Sequence, residues 1–384
     1  MDKQKDGREK LTIFLLVPKD RKSLMREEYP LKKNLCILLI ILVSLLIFGA
    51  CTTTPTEQPV AEQKETEAPG QKQQPDEQSV KSDYSDLVYD TSGDSGLMTC
   101  RFLYLTEKHP ADPTAIRAGD STVYMSPEGL VMLIDCGNQT SGEQVVEYLK
   151  KMGVKRVDIF VASHPHADHI GGFSAVSEAF DIGKVYMNEH EYDSQTYWNM
   201  MKIIEEKGIE TTRLVEGDEL NFGKQIKVKV YNPEANFNYK NAVQTAEFIA
   251  NNASLCLKMI YKESSFFSAG DMYVDSEARI AKLYGDDLQA DVCKMNHHGD
   301  STSNKTEYIE AVKPKIVVAM NEGILSPVVN MRYQKVGAIT FYNCVDGTVK
   351  VSTSGDGKYE VQSALIRELT TIGEPALDGH YIVE

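Results

Sequence analysis

The chain has 384 residues, 42% of them hydrophobic and 25% charged, with a formal net charge of −15. It is long enough for one large globular domain or two small ones. Almost all the acidic excess falls after residue 85. That argues against tight non-specific binding to nucleic acid, which needs Lys and Arg to neutralise phosphates, and leaves a local phosphate site open.

Residues 1–51 read as a signal segment. Lys32 and Lys33 precede an apolar run from Leu35 to Phe48, followed by small residues and Cys51. The run is short for a membrane span, which needs ~20 residues, and the layout is that of a secretory signal. "IFGAC" resembles a bacterial lipobox, which implies a lipidated N-terminus at Cys51 after cleavage. An uncleaved signal anchor is the alternative. Met25 opens a short basic region, so residues 1–24 read as a gene-model extension. Residues 52–85 hold almost no large apolar side chains and read as a disordered tether on a membrane surface. This places the protein as a membrane lipoprotein on the extracytoplasmic face.

Residues 86–384 read as one α/β domain. "LMTCRFLYL" and "STVYMSPEGLVMLIDCG" are strands, the second pair joined at Pro127-Glu128-Gly129. "SGEQVVEYLKKMG" has helical spacing with Gly153 as a stop. "KRVDIFVAS" is a buried strand, "YWNMMKIIEEKG" a helix, and "QIKVKVYNP" a strand. "SLCLKMIYKESSFFSAGD" reads as two strands, "SEARIAKLYG" as a helix, and "ADVCKMNHHGDS" as a strand entering a loop. "KTEYIEAV" is a helix before the strand "PKIVVAMN". "GAITFYNCVDGTVKVSTSGDGKYEVQS" reads as a β-meander with turns at Asp346-Gly347 and Gly355-Asp356-Gly357. The five cysteines after Cys51 are widely spaced with no C-x-x-C, so they read as small buried side chains. Cys136 stands out because it follows Asp135.

The chemistry is concentrated in "DIFVASHPHADHIGGF", residues 158–173, which holds three of the eight histidines. On an extended segment His164 and His166 share one side and can reach one metal ion. Asp168 and His169 come a tight turn later and can reach a second. Histidine with carboxylate suits Zn, Fe or Mn.

H-x-H-x-D-H after a strand, followed by Gly-Gly, resembles the metallo-β-lactamase fold superfamily. "LVMLIDCG" supplies the expected upstream aspartate, Asp135, and "SFFSAGD" the bridging Asp271. "KMNHHGDS" supplies a last histidine, His297 or His298. With "AGDSTVYMSPEGLVMLIDCG" and the C-terminal meander, the stretch from about Leu97 to Val361 resembles the metallo-β-lactamase-like domain of the competence protein ComEC and its free-standing relatives. The resemblance implies a four-layer αββα sandwich and two divalent ions, Zn or Mn, with a hydroxide between them. It implies His164 and His166 on the first ion, Asp168, His169 and His297 on the second, and Asp271 on both. Asp168 and Asp271 carry the catalysis. Asp135 braces the histidine loop, and His298 stands beside the site.

This sequence also departs from the family. The third histidine of the first ion is replaced by "IANNAS", where Asn251 or Asn252 stands in, Asn252 being carried forward as the supporting residue; His190 is a further substitute. Ser326-Pro327 replaces a Gly-His-Pro, and "HHGDS" replaces "HHGS". Ser301, Ser303 and Asn304 are near enough in sequence to contact a phosphate, with helix capping by Ser303 or Asn304 as the plainer role. Tyr192, Tyr197 and Trp198 either line the mouth or pack a helix.

The function that follows is a surface-anchored phosphodiesterase or nuclease acting on a small phosphodiester, an oligonucleotide or a cell-wall polymer. No stable protein partner is implied. A thioester or lactone hydrolase, and a non-catalytic binding protein of the same fold, are the alternatives.

Overall fold

The structure is a computed structural model that describes residues 84–106, 118–235, 237, 245–366 and 379–384. The signal segment, Cys51 and the tether up to residue 83 lie outside the described residues. A 3-10 turn, Tyr84–Tyr89, begins within the last residues of the expected tether. It is tied to the body by Tyr89, which stacks on Tyr148 at 4.9 Å.

The strands follow in chain order as β1 Met98–Phe102, β2 Thr122–Met125, β3 Val131–Ile134, β4 Arg156–Ala162, β5 Asp181–Met187, β6 Glu210–Arg213, β7 Glu219–Phe222 and β8 Ile226–Asn232. They continue as β9 Cys256–Tyr261, β10 Ser264–Ser268, β11 Val292–Lys294, β12 Ile316–Ala319, β13 Ile339–Tyr342, β14 Val349–Thr353, β15 Tyr359–Ser363 and β16 His380–Val383. The helices are α1 Gly142–Lys151, α2 Ala167–Ile170, α3 Phe173–Ala179, α4 Gln195–Lys207, α5 Ala246–Asn252, α6 Val274–Tyr284, α7 Thr306–Val312, α8 Pro327–Lys335 and α9 Asn343–Asp346. One sheet runs β16-β15-β14-β1-β2-β3-β4-β5-β6 and the other β13-β12-β11-β10-β9-β8-β7.

Strand alternation builds the layers. Met98, Cys100 and Phe102 of β1 and Leu257, Met259 and Tyr261 of β9 point into a core between the two sheets. The intervening residues point outward, as period two requires. Leu133 and Phe160 meet Val145 and Leu149 of α1 and Phe173 of α3 on one outer face. Phe267, Cys293 and Val317 meet Ile280, Ile309 and Tyr333 on the other. Each buried Leu, Phe or Val contributes about 1.5–3 kcal/mol, which fixes both sheets. Three apolar cores between four layers make an αββα sandwich. Cys100, Cys136, Cys256 and Cys293 are buried free thiols within it, and burial pushes the Cys136 thiol well up.

The expected C-terminal meander is corrected. β13 pairs in parallel with β12 in the second sheet, whereas β14 pairs with β1 in the first. Asp346-Gly347 is therefore a crossing between sheets. Asp346 Oδ2 accepts the Tyr342 N–H at 2.7 Å, winding residues 343–346 into α9. Within the expected meander, β14–β15 alone form a hairpin.

Gly172 places the histidine loop. A Cβ there would lie 2.1 Å from the Cys136 carbonyl oxygen and 2.8 Å from Gly142 Cα, both backbone atoms. Gly172→Ala is expected to cost about 1–3 kcal/mol by forcing these segments apart. Gly93→Ala, with open space around it, should cost under about 0.5 kcal/mol. Thermal unfolding of the two variants checks this; equal midpoints would contradict it.

Candidate metal centre

The centre lies where strands of both sheets end. Asp135 follows β3, His164 follows β4, Asp271 follows β10, and His297 and His298 follow β11; α2 carries Asp168 and His169. Asp271 Oδ2 is the hub. It lies 3.1 Å from Nε2 of both His169 and His298, and 3.9 Å from Nε2 of both His164 and His297. Asp168 Oδ2 stands 3.3 Å from His298 Nε2 and 4.0 Å from His169 Nε2. His164 Nε2 and His166 Nδ1 converge to 3.0 Å beside them.

Two histidines are aimed by carboxylates. Asp135 Oδ2 accepts from His169 Nδ1 at 2.8 Å, and its other oxygen takes the Ser163 N–H. Asp120, just before β2, does the same for His298, with Oδ1 3.0 Å from Nδ1. A proton held on Nδ1 leaves the Nε2 lone pair facing the hub. Asp120, His169, Asp271 and His298 are close enough together to share one ion. Asp120 nevertheless meets the far edge of the His298 ring and is paired with Lys294 at 2.6 Å, so it is a brace. Sequence reasoning missed both. The "AGD" before β2 and a lysine inside an apolar strand were the available signals.

The two adjacent histidines exchange the places expected of them. His297 and His298 both have positive φ, 47° and 55°, so strand alternation does not continue through them. His298, buried among Asp120, Asp168 and Asp271, takes the inner position expected of His297. His297 stands at the rim with Nδ1 2.6 Å from Thr302 Oγ1, which donates to Asp300. Glu277, with no exposure, accepts from Asn296 Nδ2, Asn304 N and Lys305 N and pins this loop. Burial pushes its carboxyl up to about 7 against those three donors. Ser303 and Asn304 are buried in the same bracing, donating to the Met272 and Asn296 carbonyls, and neither caps α7. Ser326 is a cap: it accepts the Val329 N–H at the start of α8.

Asn252 is likewise corrected. Its Oδ1 accepts the Ser276 N–H and its Nδ2 donates to the Phe248 carbonyl, so both ends of the amide are already used. Asn251, one residue earlier on α5, lines the mouth, and its buried Oδ1 has no hydrogen-bond partner among the described residues. His190 is not among the side chains that meet at Asp271; burial first and His166 second push its imidazole down to about 4. A 290 Å³ cavity opens from the hub, lined by His166, Asp168, Tyr192, Glu247, Asn251 and His297 among others. Tyr197 is buried and Trp198 is exposed, so of the three aromatics only Tyr192 lines it. A larger cavity of 460 Å³ lies by Arg156 and Asp158, at the opposite end of β4.

The family profile described as "Metallo-beta-lactamase superfamily" matches residues 116–230. The chain is 25% identical over 242 residues to ComE operon protein 3 of Bacillus subtilis (strain 168), covering 58% of this chain and 30% of that protein. It is 24% identical over 221 residues to competence protein ComA of Neisseria gonorrhoeae, covering 56% and 28%. The chain is a ComEC-like protein of the metallo-β-lactamase fold. It spans less than a third of the length of those two relatives. A shorter match, 44% over 52 residues, joins this ComEC-like chain to ribonuclease Z of Clostridioides difficile (strain 630), covering 14% and 16%.

The acids of the centre favour the protonated forms of His169 and His298. Burial alone would lower His169 and His298, but Asp271 with Asp135 and Asp120 outweighs it and holds both imidazoles well above their ordinary value. Burial keeps His164 well below. A histidine raised in the folded state stabilises the fold below its unfolded pKa of ~6.5, and that gain is lost as pH rises through the folded value. Metal must displace these protons, so affinity is expected to fall as pH falls. Calorimetry of Mn²⁺ binding in two buffers of different ionisation enthalpy checks this; heats that are equal in both would contradict proton release.

Proposed function

We propose that the chain is a metal-dependent hydrolase of phosphodiesters, held at the outer face of a membrane by lipid on Cys51. The observation that carries the hydrolase reading is Asp271 Oδ2, ringed by four imidazole nitrogens with Asp168 alongside. The donors fit two divalent ions. His164, His166 and Asn251 Oδ1, which has no partner among the described residues, would hold one. Asp168, His169 and His298 would hold the other, with Asp271 between. Nitrogen and oxygen donors together suit Zn or Mn, and an amide in place of imidazole moves the first position toward Mn. Such ions supply Lewis acidity and a water that ionises near neutral pH.

The chain's own residues do the rest. Asp168 reaches into the cavity and can accept a proton from the attacking water. Asp120 and Asp135 keep His298 and His169 in one tautomer and one orientation. Thr302 Oγ1, donating to Asp300, accepts Nδ1–H from His297, so His297 Nε2 faces incoming substrate. A ribonuclease and competence proteins among the relatives support a phosphodiester. The acidic domain favours short oligonucleotides or cell-wall phosphodiesters over long duplexes. The lipobox-like "IFGAC" and the polar tether support the anchor.

With Mn²⁺ or Zn²⁺, the protein is expected to turn over bis-p-nitrophenyl phosphate, and Asp168→Ala to lose about 10²–10⁴-fold in rate with unchanged circular dichroism. Turnover of thioesters alone would replace the phosphodiester assignment; none at all with metal fully loaded would leave a binding protein. Asn251→Ala is expected to weaken one of two bound ions by at least about 10–100-fold, whereas Asn252→Ala keeps both. Calorimetric titration reads this, and the reverse pattern would return the ligand to Asn252.

A further inference from the structure

A lysine lies under the centre that the hydrolytic account does not use. Lys294 ends β11 between Cys293 and Met295, and its side chain is 3% exposed. Its Nζ stands 2.6 Å from Asp120 Oδ2 and 3.4 Å from Asp271 Oδ1. It also donates to the carbonyls of Gly270 at 2.8 Å and Met295 at 3.2 Å. An ammonium is strongly hydrated, so a buried one persists only where other groups replace the water.

Four carboxylates gather here: Asp120, Asp135, Asp168 and Asp271. Among the described residues, Lys294 is the one lysine or arginine paired with any of them. Two of them are split between partners in the same way. Asp120 gives Oδ1 to His298 and Oδ2 to Lys294; Asp271 gives Oδ2 to the imidazoles and Oδ1 to Lys294. The lysine and an incoming ion therefore face opposite oxygens of the same carboxylate.

We propose that Lys294 is the resident counter-charge of the metal centre: it stands in for the missing cations, so that the carboxylate cluster folds before any ion arrives. The inference rests on the reading that ions bind at Asp271. Its consequence is a competition. Positive charge on Lys294 stabilises the metal-free protein more than the loaded one, so it lowers the stabilisation that metal brings. A lysine that only filled the core would stabilise both forms alike. A lysine that only aimed Asp271 would strengthen metal binding.

The test is thermal unfolding of the full chain, in chelator and in saturating Mn²⁺, with calorimetric titration of Mn²⁺ alongside. Lys294→Met should lower the midpoint mostly in chelator. Its metal-induced gain should exceed the wild-type gain by about 5 °C or more, while Lys294→Arg keeps the wild-type gain. Equal losses in both forms, or a smaller gain in Lys294→Met, would overturn the proposal. If Lys294→Met folds only with Mn²⁺ present, the proposal holds in its strongest form. If it folds in neither state, Asp120→Asn combined with Lys294→Met decides: removing both charges should restore a metal-responsive fold, and failure to do so overturns the proposal. Wild-type protein that takes up no Mn²⁺ would sink the metal reading itself, which calorimetry separates from the other outcomes.

Discussion

A buried carboxylate needs partners for both of its oxygens, and Asp271 finds them in opposite directions. Oδ2 faces imidazoles carried by α2 and by the loop after β11, and Oδ1 faces Lys294. That division sets the rest of the centre. β10 and β11 pair in parallel, so Asp271 and Lys294 leave neighbouring strands at the same edge. β3 and β4 pair in parallel in the facing sheet and bring Asp135 and His164 to the opposing edge. The cleft between the sheets is where these four ends are forced together.

The arrangement carries backbone strain. Asp135, His297, His298 and Asn304 all have positive φ. Such residues cost of order 1–3 kcal/mol each and persist only where the surroundings over-determine them. Here they are over-determined. Asp135 is fixed by Ser163 and His169, and the 296–304 loop by Glu277, Asn304 and Tyr333. The strain turns two successive histidines in different directions, one to the hub and one to the rim. A regular strand would have pointed them to opposite faces of the sheet.

Much of this was legible in the sequence, because the informative contacts are local. His164, His166, Asp168 and His169 lie within one strand end and one turn, and all four reach the site. Asp135 and Asp271 were readable as strand-end acids. The errors have physical causes. One step along α5 rotates a side chain by about 100°, so Asn251 and Asn252 cannot be ranked without knowing which face meets the cleft. His297 and His298 could not be ranked because positive φ breaks the alternation. Asp120 and Lys294 act on residues far away in sequence, and no periodicity reports that. β13 reads like its neighbours β14 and β15, because alternation tells how a strand is buried and not which sheet it joins.

Two ions are expected, one on each side of Asp271. Anomalous diffraction from crystals of the protein loaded with Mn²⁺ measures this directly. Two peaks flanking Asp271 are predicted, one against His164, His166 and Asn251, the other against Asp168, His169 and His298. A peak bound through Asp120, or a second ion held by His297 in place of His298, would contradict it.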